Sequence, residues 1–156
     1  MSLEIERRFV LDELPEDWRQ QAKAIAIKQG YLIIEERREL RLRKKGTRHL
    51  MTVKYGTGLM RDEQEQEIDA GLFEMLWPLT EGKRLEKTRY SMWVGDDLYE
   101  ADVFEGGLAP LLMLEVEFAT EADANRFTPP DFGCRDVTDD PRYKNASLAK
   151  HGRPED

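Results

Sequence analysis

Paired acids and paired bases recur along this chain, with one residue between the members of each pair. The acidic pairs are Glu4/Glu6, Glu63/Glu65 and Glu115/Glu117, and the basic pairs are Arg41/Arg43 and Lys87/Arg89. Residues of a β-strand that are two positions apart point to the same face of the sheet. Carboxylate pairs facing a shared space suit hard divalent cations, and rows of Arg and Lys suit phosphate oxygens. Together these pairs predict a site for a metal-bound polyphosphate.

The stretches that carry the pairs alternate between an apolar face and an ionisable face. In residues 111–119, for example, Leu114 and Val116 alternate with Glu115 and Glu117. An antiparallel sheet with one solvated side gives the same pattern in any single strand. Across the whole set a solvated face explains the pattern less well. Like charges on one face repel each other, and a solvated sheet does not require pairs of like charges.

The pattern of elements predicts an α+β fold that is mainly β. Strands are expected at 3–11, 24–35 with an interruption near Gly30, 38–45, 48–55, 61–69, 83–94, 98–104 and 111–119. Short helices are expected at 14–21, from Asp69 to Pro78, after Thr120 and at 142–150. If the charged faces point inward, about eight strands form a closed antiparallel β-barrel that can hold a ligand, and the helices cover its apolar outside.

The length and the net charge of the chain limit the classes of protein to which it can belong. A chain of 156 residues suits a single domain, here 1–156. Its net charge of −8 argues against a nucleic-acid or anionic-membrane partner, whose binding would need a basic surface. The single cysteine, Cys134, and the lack of a membrane-length apolar run predict a cytoplasmic protein.

The segment Glu4-Ile5-Glu6-Arg7-Arg8 resembles the ExExK signature of the CYTH superfamily, also called the triphosphate tunnel metalloenzymes. The resemblance continues over nearly the whole chain. Its further elements, in order, are Arg41-Leu42-Arg43, Thr52-Val53-Lys54, Glu63-Gln64-Glu65, Lys87-Thr88-Arg89, Asp102, Glu115-Val116-Glu117 and the tail segment Arg142-Tyr143-Lys144-Asn145. Arg8 stands where the signature has lysine, which keeps the charge but removes a group that could release a proton.

The resemblance implies a charged tunnel that binds a triphosphate with Mg²⁺ or Mn²⁺ and hydrolyses its terminal phosphoanhydride by metal-activated water. The expected phosphate ligands are Arg8, Arg41, Arg43, Lys54, Lys87, Arg89 and Lys144. The expected metal ligands are Glu4, Glu6, Glu63, Glu65, Asp102, Glu115 and Glu117. Glu4, Glu6, Lys87 and Glu117 are expected to be catalytic. Inorganic tripolyphosphate is the expected substrate, because no residue pattern selects a base or a sugar.

Several alternatives remain open at this stage. The same tunnel serves class IV adenylyl cyclases, which act on ATP, as well as thiamine and nucleoside triphosphatases. A non-catalytic polyphosphate- or nucleotide-binding module would carry the same charged strands. A metal requirement for turnover, rather than for binding alone, separates the enzymes from the module. An exposed flank of the barrel could support a homodimer.

Overall fold

The computed structural model describes residues 2–56 and 60–155, with side chains for 5–56 and 62–155. The strands within these residues are β1 (Ser2–Val10), β2 (Lys23–Glu35), β3 (Arg38–Lys45), β4 (Arg48–Tyr55), β5 (Met60–Glu67), β6 (Arg84–Val94), β7 (Asp97–Phe104), β8 (Leu112–Glu117) and β9 (Arg135–Asp136). The α-helices are α1 (Glu16–Gln21), α2 (Ala70–Leu76), α3 (Glu121–Arg126) and α4 (Asn145–His151). Single 3-10 turns occupy Trp77–Thr80, Gly106–Leu108 and Pro141–Tyr143. The predicted mainly-β class is therefore confirmed.

The strands pair in an antiparallel ring. The order is β5-β4-β3-β2-β6-β7-β8-β1, and β5 pairs in turn with β1. The first half of β1 pairs with β5, as Ile5 with Met60, and its second half pairs with β8, as Glu6 with Glu117. Strand β9 lies beside Phe9 and Val10 of β1. Eight strands thus form the expected barrel, and β1 joins its two ends.

The apolar faces of the strands point away from the barrel interior. Phe9 of β1 and Leu114 and Val116 of β8 are fully buried in a core that also contains Trp18 of α1 and Ala124 of α3. The main core therefore lies between the outside of the sheet and the helices. This reverses the usual arrangement of a small barrel, whose interior is filled by side chains.

A second apolar core closes one end of the barrel. Leu85, Phe104 and Met113 lie on the inward faces of their strands, as their pairing with inward-facing neighbours requires. Tyr143 and Leu148 of the C-terminal segment pack against them, and both are at most 3% exposed. The tail segment is thereby fixed at the end of the barrel that lies beyond Lys87.

The helix starts follow their capping residues. Asp69 accepts a hydrogen bond from the Leu72 amide at 2.7 Å, and Thr120 accepts one from the Asp123 amide at 3.1 Å. Asp69 and Thr120 therefore cap the two helices that were expected to begin there. The prediction of a helix from residue 142 was wrong by three residues, because 141–143 form a separate turn and α4 begins at Asn145. Within the described chain, no helix is both long enough and apolar enough to cross a membrane.

Gly30 does not interrupt β2, contrary to expectation. The strand runs unbroken from Lys23 to Glu35, and its pairing with β3 shifts register between Tyr31 and Ile33. A Cβ atom on Gly30 would lie 2.6 Å from the Cβ of Thr80. Glycine therefore allows the Trp77–Thr80 turn to approach the strand closely.

Candidate active site

A cavity of about 400 Å³ lies inside the barrel. Its wall is formed by Glu6, Arg8, Tyr31, Glu39, Arg41, Arg43, Lys45, Lys54, Glu63, Glu65, Lys87, Arg89, Leu98, Glu100, Glu115, Glu117, Lys144, Asn145 and Ala146. Among the described side chains the wall has seven carboxylates and eight cations. The charged strand faces therefore point inward, as expected, although the whole chain is acidic.

Twelve of the predicted site residues meet in this wall: Glu6, Arg8, Arg41, Arg43, Lys54, Glu63, Glu65, Lys87, Arg89, Glu115, Glu117 and Lys144. They come from six different strands and the segment before α4. The side chain of Glu4 falls outside the described residues. Asp102 lies behind the wall rather than in it. The individual roles given to these residues stay predictions.

Asp102 is joined to two cations of the wall. Arg89 donates from Nε to Oδ1 at 2.8 Å and from Nη2 to Oδ2 at 2.9 Å, and Lys87 donates from Nζ to Oδ2 at 2.7 Å. Asp102 is only 1% exposed. Both of its oxygens are engaged with cations, so this geometry favours an orienting role for Asp102 over the predicted metal contact.

Burial and mutual repulsion lower the pKa of two cationic side chains of the wall. Burial, together with the neighbouring Arg89, lowers the pKa of Lys87 to about 8, although Asp102 and Glu115 act in the opposite direction. Burial, together with Arg41 and Arg89, lowers the pKa of Arg43 to about 10. Crowded cations of this kind favour an anionic ligand, since its charge relieves their repulsion.

Neighbouring cations hold two acids of the wall, Glu115 and Glu65, in their charged form. Burial would raise the pKa of Glu115, but Arg89 and Lys87 bring it well below its usual range. Burial likewise opposes ionisation of Glu65, whose pKa is nevertheless lowered by Arg43 and Thr52. Carboxylate oxygens are therefore available in the wall at neutral pH.

The contact between β3 and β5 orients further charges. Glu65 accepts a hydrogen bond from Arg43 at 3.1 Å and one from Thr52 at 2.9 Å, and its carboxylate lies 3.7 Å from the Arg41 guanidinium. Within the described residues, the buried Nε atoms of Arg8, Arg41 and Arg43 have no hydrogen-bond partner. An unpaired buried donor costs about 1–3 kcal/mol, and such donors in a cationic wall fit an anion-binding site.

Glu6 and Glu117 are neighbouring acids of the wall. They are direct partners in the β1–β8 pairing, and Glu115 is the partner of Arg8 in the same ladder. Carboxylate oxygens are the donors that Mg²⁺ and Mn²⁺ prefer. Across the side chains from 5–56 and 62–155, no group of three or more His, Cys, Asp or Glu is arranged to hold a metal ion. Glu4, two positions from Glu6 on β1, falls outside that range.

The wall also contains residues that sequence reasoning missed. Glu39, Lys45 and Glu100 each lie two positions from a predicted residue on the same strand, so extending the period-two rows would have found them. Tyr31 is the β-ladder partner of Arg41, and burial and Glu39 raise the pKa of Tyr31 to about 12. The resemblance places Asn145 in the tail segment without giving it a role, and in the structure it reaches the wall from the start of α4.

Comparison with known proteins identifies relatives over nearly the full chain. No family model matches. An inorganic triphosphatase from Nitrosomonas europaea is 49% identical over 148 residues, covering 94% of this chain and 96% of that protein. An inorganic triphosphatase from Acetivibrio thermocellus is 34% identical over 153 residues, covering 97% of this chain and 96% of that protein.

Solved structures agree with these relatives. The crystal structure of an inorganic triphosphatase superposes with a TM-score of 0.71 at 46% identity and covers 96% of both chains. A putative adenylate cyclase from Bacillus halodurans has a TM-score of 0.58 at 14% identity, over 80% of this chain and 86% of that one, and shares the fold. With two inorganic triphosphatases matching almost end to end, and with the predicted charged residues gathered inside the barrel, the chain belongs to the CYTH superfamily of triphosphate tunnel metalloenzymes.

Proposed function

We propose that this protein hydrolyses inorganic tripolyphosphate to pyrophosphate and phosphate inside its barrel. The observation that carries the proposal is the meeting of two buried cationic pairs, Arg41/Arg43 and Lys87/Arg89, in one cavity with seven carboxylates among the described side chains. A polyphosphate presents the closely spaced negative charges that such a wall can bind. The similarity to two inorganic triphosphatases supports the same substrate class.

The composition of the wall favours an inorganic substrate over a nucleotide or thiamine triphosphate. Among the described residues that line the cavity, the apolar or aromatic side chains are those of Tyr31, Leu98 and Ala146. Small-molecule sites that accept an aromatic ring are usually lined by apolar and aromatic side chains. This wall has little such surface, so binding energy comes from phosphate oxygens.

The buried cations would act mainly on the phosphoryl group. Arg8, Arg41, Arg43, Lys87 and Arg89 would bind its non-bridging oxygens. Preorganised cations in a water-poor site stabilise charge that shifts onto the phosphate chain in the transition state. Because a guanidinium stays protonated at neutral pH, Arg8 would serve as a permanent clamp. Lys54 and Lys144 would extend the cationic wall.

The acids would serve a divalent cation. Glu6 and Glu117, with Glu4, would hold Mg²⁺ or Mn²⁺, and Glu63, Glu65, Glu115 and Asp102 would support them. When bound, such a metal supplies an acidified water and neutralises phosphate charge. The carboxylates would keep their orientation through neighbouring cations, as Glu65 does through Arg43.

The test is phosphate release from a panel of substrates. Tripolyphosphate, ATP and thiamine triphosphate are each supplied with Mg²⁺, with Mn²⁺, or with EDTA. We expect tripolyphosphate to be hydrolysed fastest, EDTA to abolish release and added metal to restore it. Cyclic AMP as the main product from ATP would establish the cyclase alternative. Tight binding of tripolyphosphate without release would establish a binding module.

A further inference from the structure

Asn145 lies between two charged residues of opposite sign. Lys87 donates from Nζ to the Asn145 Oδ1 atom at 3.1 Å, and Asn145 donates from Nδ2 to Glu115 Oε1 at 3.2 Å. The three residues come from β6, α4 and β8, and all three line the cavity. One neutral side chain thus connects a cation and an acid that belong to different strands.

The chemistry of an amide suits this position. Its carbonyl oxygen accepts a hydrogen bond from the ammonium, while its NH₂ group donates to the carboxylate. A carboxylate at position 145 would lie beside Glu115 and repel it, and a cation would repel Lys87. An apolar residue would leave the buried Lys87 and the half-buried Glu115 with fewer hydrogen-bond partners.

The position of Asn145 is fixed by other residues of its segment. Tyr143, Ala146 and Leu148 are at most 4% exposed, and Tyr143 and Leu148 are anchored in the apolar core at the end of the barrel. Asn145 does not cap its own helix, because the N-cap position is Lys144. The side chain of Asn145 is therefore directed across to the barrel, to residues 58 and 30 positions away in the sequence.

The geometry points to Asn145 as a positioning residue of the tripolyphosphate site, one that holds Lys87 and Glu115 in fixed relation and makes α4 part of the phosphate-binding wall. This inference rests on the proposed function. A displaced Lys87 keeps its charge, so it still attracts substrate. Its alignment with the transition state is lost, and small misplacements of a binding group reduce the rate strongly.

The experiment is a double-mutant cycle between positions 145 and 87. Asn145→Leu keeps the size of the side chain but removes its hydrogen bonds. We expect kcat/KM for tripolyphosphate to fall about tenfold, with the larger part of the loss in kcat. In a Lys87→Met background the same substitution should change kcat/KM by less than about twofold, because the relation between Lys87 and Glu115 that Asn145 fixes is gone. Lys150→Ala, exposed on the same helix, should leave kcat/KM unchanged in both backgrounds.

The outcomes separate the inference from the proposed function. A tenfold loss from Asn145→Leu that persists in the Lys87→Met background overturns the positioning role, as does wild-type kinetics of the single variant. Thermal melting checks that each variant is folded, and Asn145→Ala replaces Asn145→Leu in the cycle if the leucine variant is not. If the wild-type protein neither hydrolyses tripolyphosphate nor is thermally stabilised by it, the proposed function is wrong, and the inference is wrong with it.

Discussion

Arg89 and Asp102 face each other across the β6–β7 pairing and are joined by two parallel hydrogen bonds of 2.8 and 2.9 Å. This two-pronged arrangement is the strongest geometry available to an arginine and a carboxylate. Arg89 also lies 3.2 Å from Glu100 and 3.5 Å from Glu115. Asp102 is thus the centre of a buried network, and Arg89 carries that network into the cavity wall.

Removing Asp102 should destabilise the fold. Asp102→Ala leaves Lys87 and Arg89 buried without their shared counter-charge, and breaking a buried ion pair in this way costs about 3–5 kcal/mol. Urea unfolding of the variant gives the free energy directly. Glu67→Ala is the matched control, because Glu67 pairs with Arg48 on the surface, where such a pair is worth about 0–1 kcal/mol. Equal losses of unfolding free energy in the two variants would show that the buried network around Asp102 does not stabilise the fold.

Arg43→Ala should weaken substrate binding and leave the fold nearly intact. Arg43 contacts Glu65 at 3.1 Å, but burial and the neighbouring Arg41 and Arg89 lower its pKa to about 10, so its removal also relieves repulsion. A hydrogen bond to a charged group contributes about 1.5–3 kcal/mol, which predicts a rise in KM of roughly ten- to a hundredfold. Steady-state kinetics with tripolyphosphate provides the measurement.

Arg48→Ala on the neighbouring strand is the control for Arg43. Arg48 is exposed, and its partner Glu67 is exposed as well. Its removal should change neither KM nor thermal stabilisation by tripolyphosphate. If Arg43→Ala behaves in the same way, Arg43 does not bind the substrate.

Glu117→Gln should affect the proposed metal more than the substrate. Glutamine keeps the size of the side chain but removes the charge that favours a divalent cation. We expect the Mg²⁺ or Mn²⁺ concentration for half-maximal activity to rise and kcat to fall by at least about tenfold, with tripolyphosphate binding retained. Metal titrations of activity, compared with Glu121→Gln on the surface of α3, provide the measurement. An unchanged metal dependence would remove Glu117 from the proposed ligands.

Stability should depend on acid pH through Asp136. Burial opposes its ionisation, but Arg7, at 2.7 Å, and Thr138 lower the pKa of Asp136 below its ordinary value of about 3.9. The ion pair is therefore fully stabilising above the unfolded pKa and loses its effect as the pH falls through the lower folded pKa. The urea midpoint of wild type should exceed that of Asp136→Asn at pH 7, and the difference should shrink below about pH 4. A gap that stays constant down to pH 2 would contradict this assignment.

The alternation of residue types predicted the barrel and most of its wall. A period of two decides which side chains share a face, so Glu115 and Glu117 had to point together, as did Arg41 and Arg43. The register between strands is not encoded in that period. The pairing of Asp102 with Arg89, which directs this acid to a cation, therefore became visible only in the structure.

Two further features depend on packing between distant segments. Asn145 reaches the cavity because Tyr143 and Leu148 anchor its segment at the end of the barrel. Gly30 is required because Thr80 packs against β2. Neither contact leaves a local sequence signal, since both partners lie far along the chain.

The double pairing of β1 has a consequence for how the protein is made. Its residues pair with Met60 to Glu63, with Met113 to Glu117 and with Arg135 to Asp136, so many of its contacts join positions more than a hundred residues apart. Such long-range contacts form late and slow the folding of a chain. During synthesis β1 therefore waits for residues up to 136 before it completes its pairing. Glu6 and Arg8 belong to this strand, and Lys144 lies further still along the chain, so a growing chain acquires the full set of charges in its cavity only after residue 144 has been made.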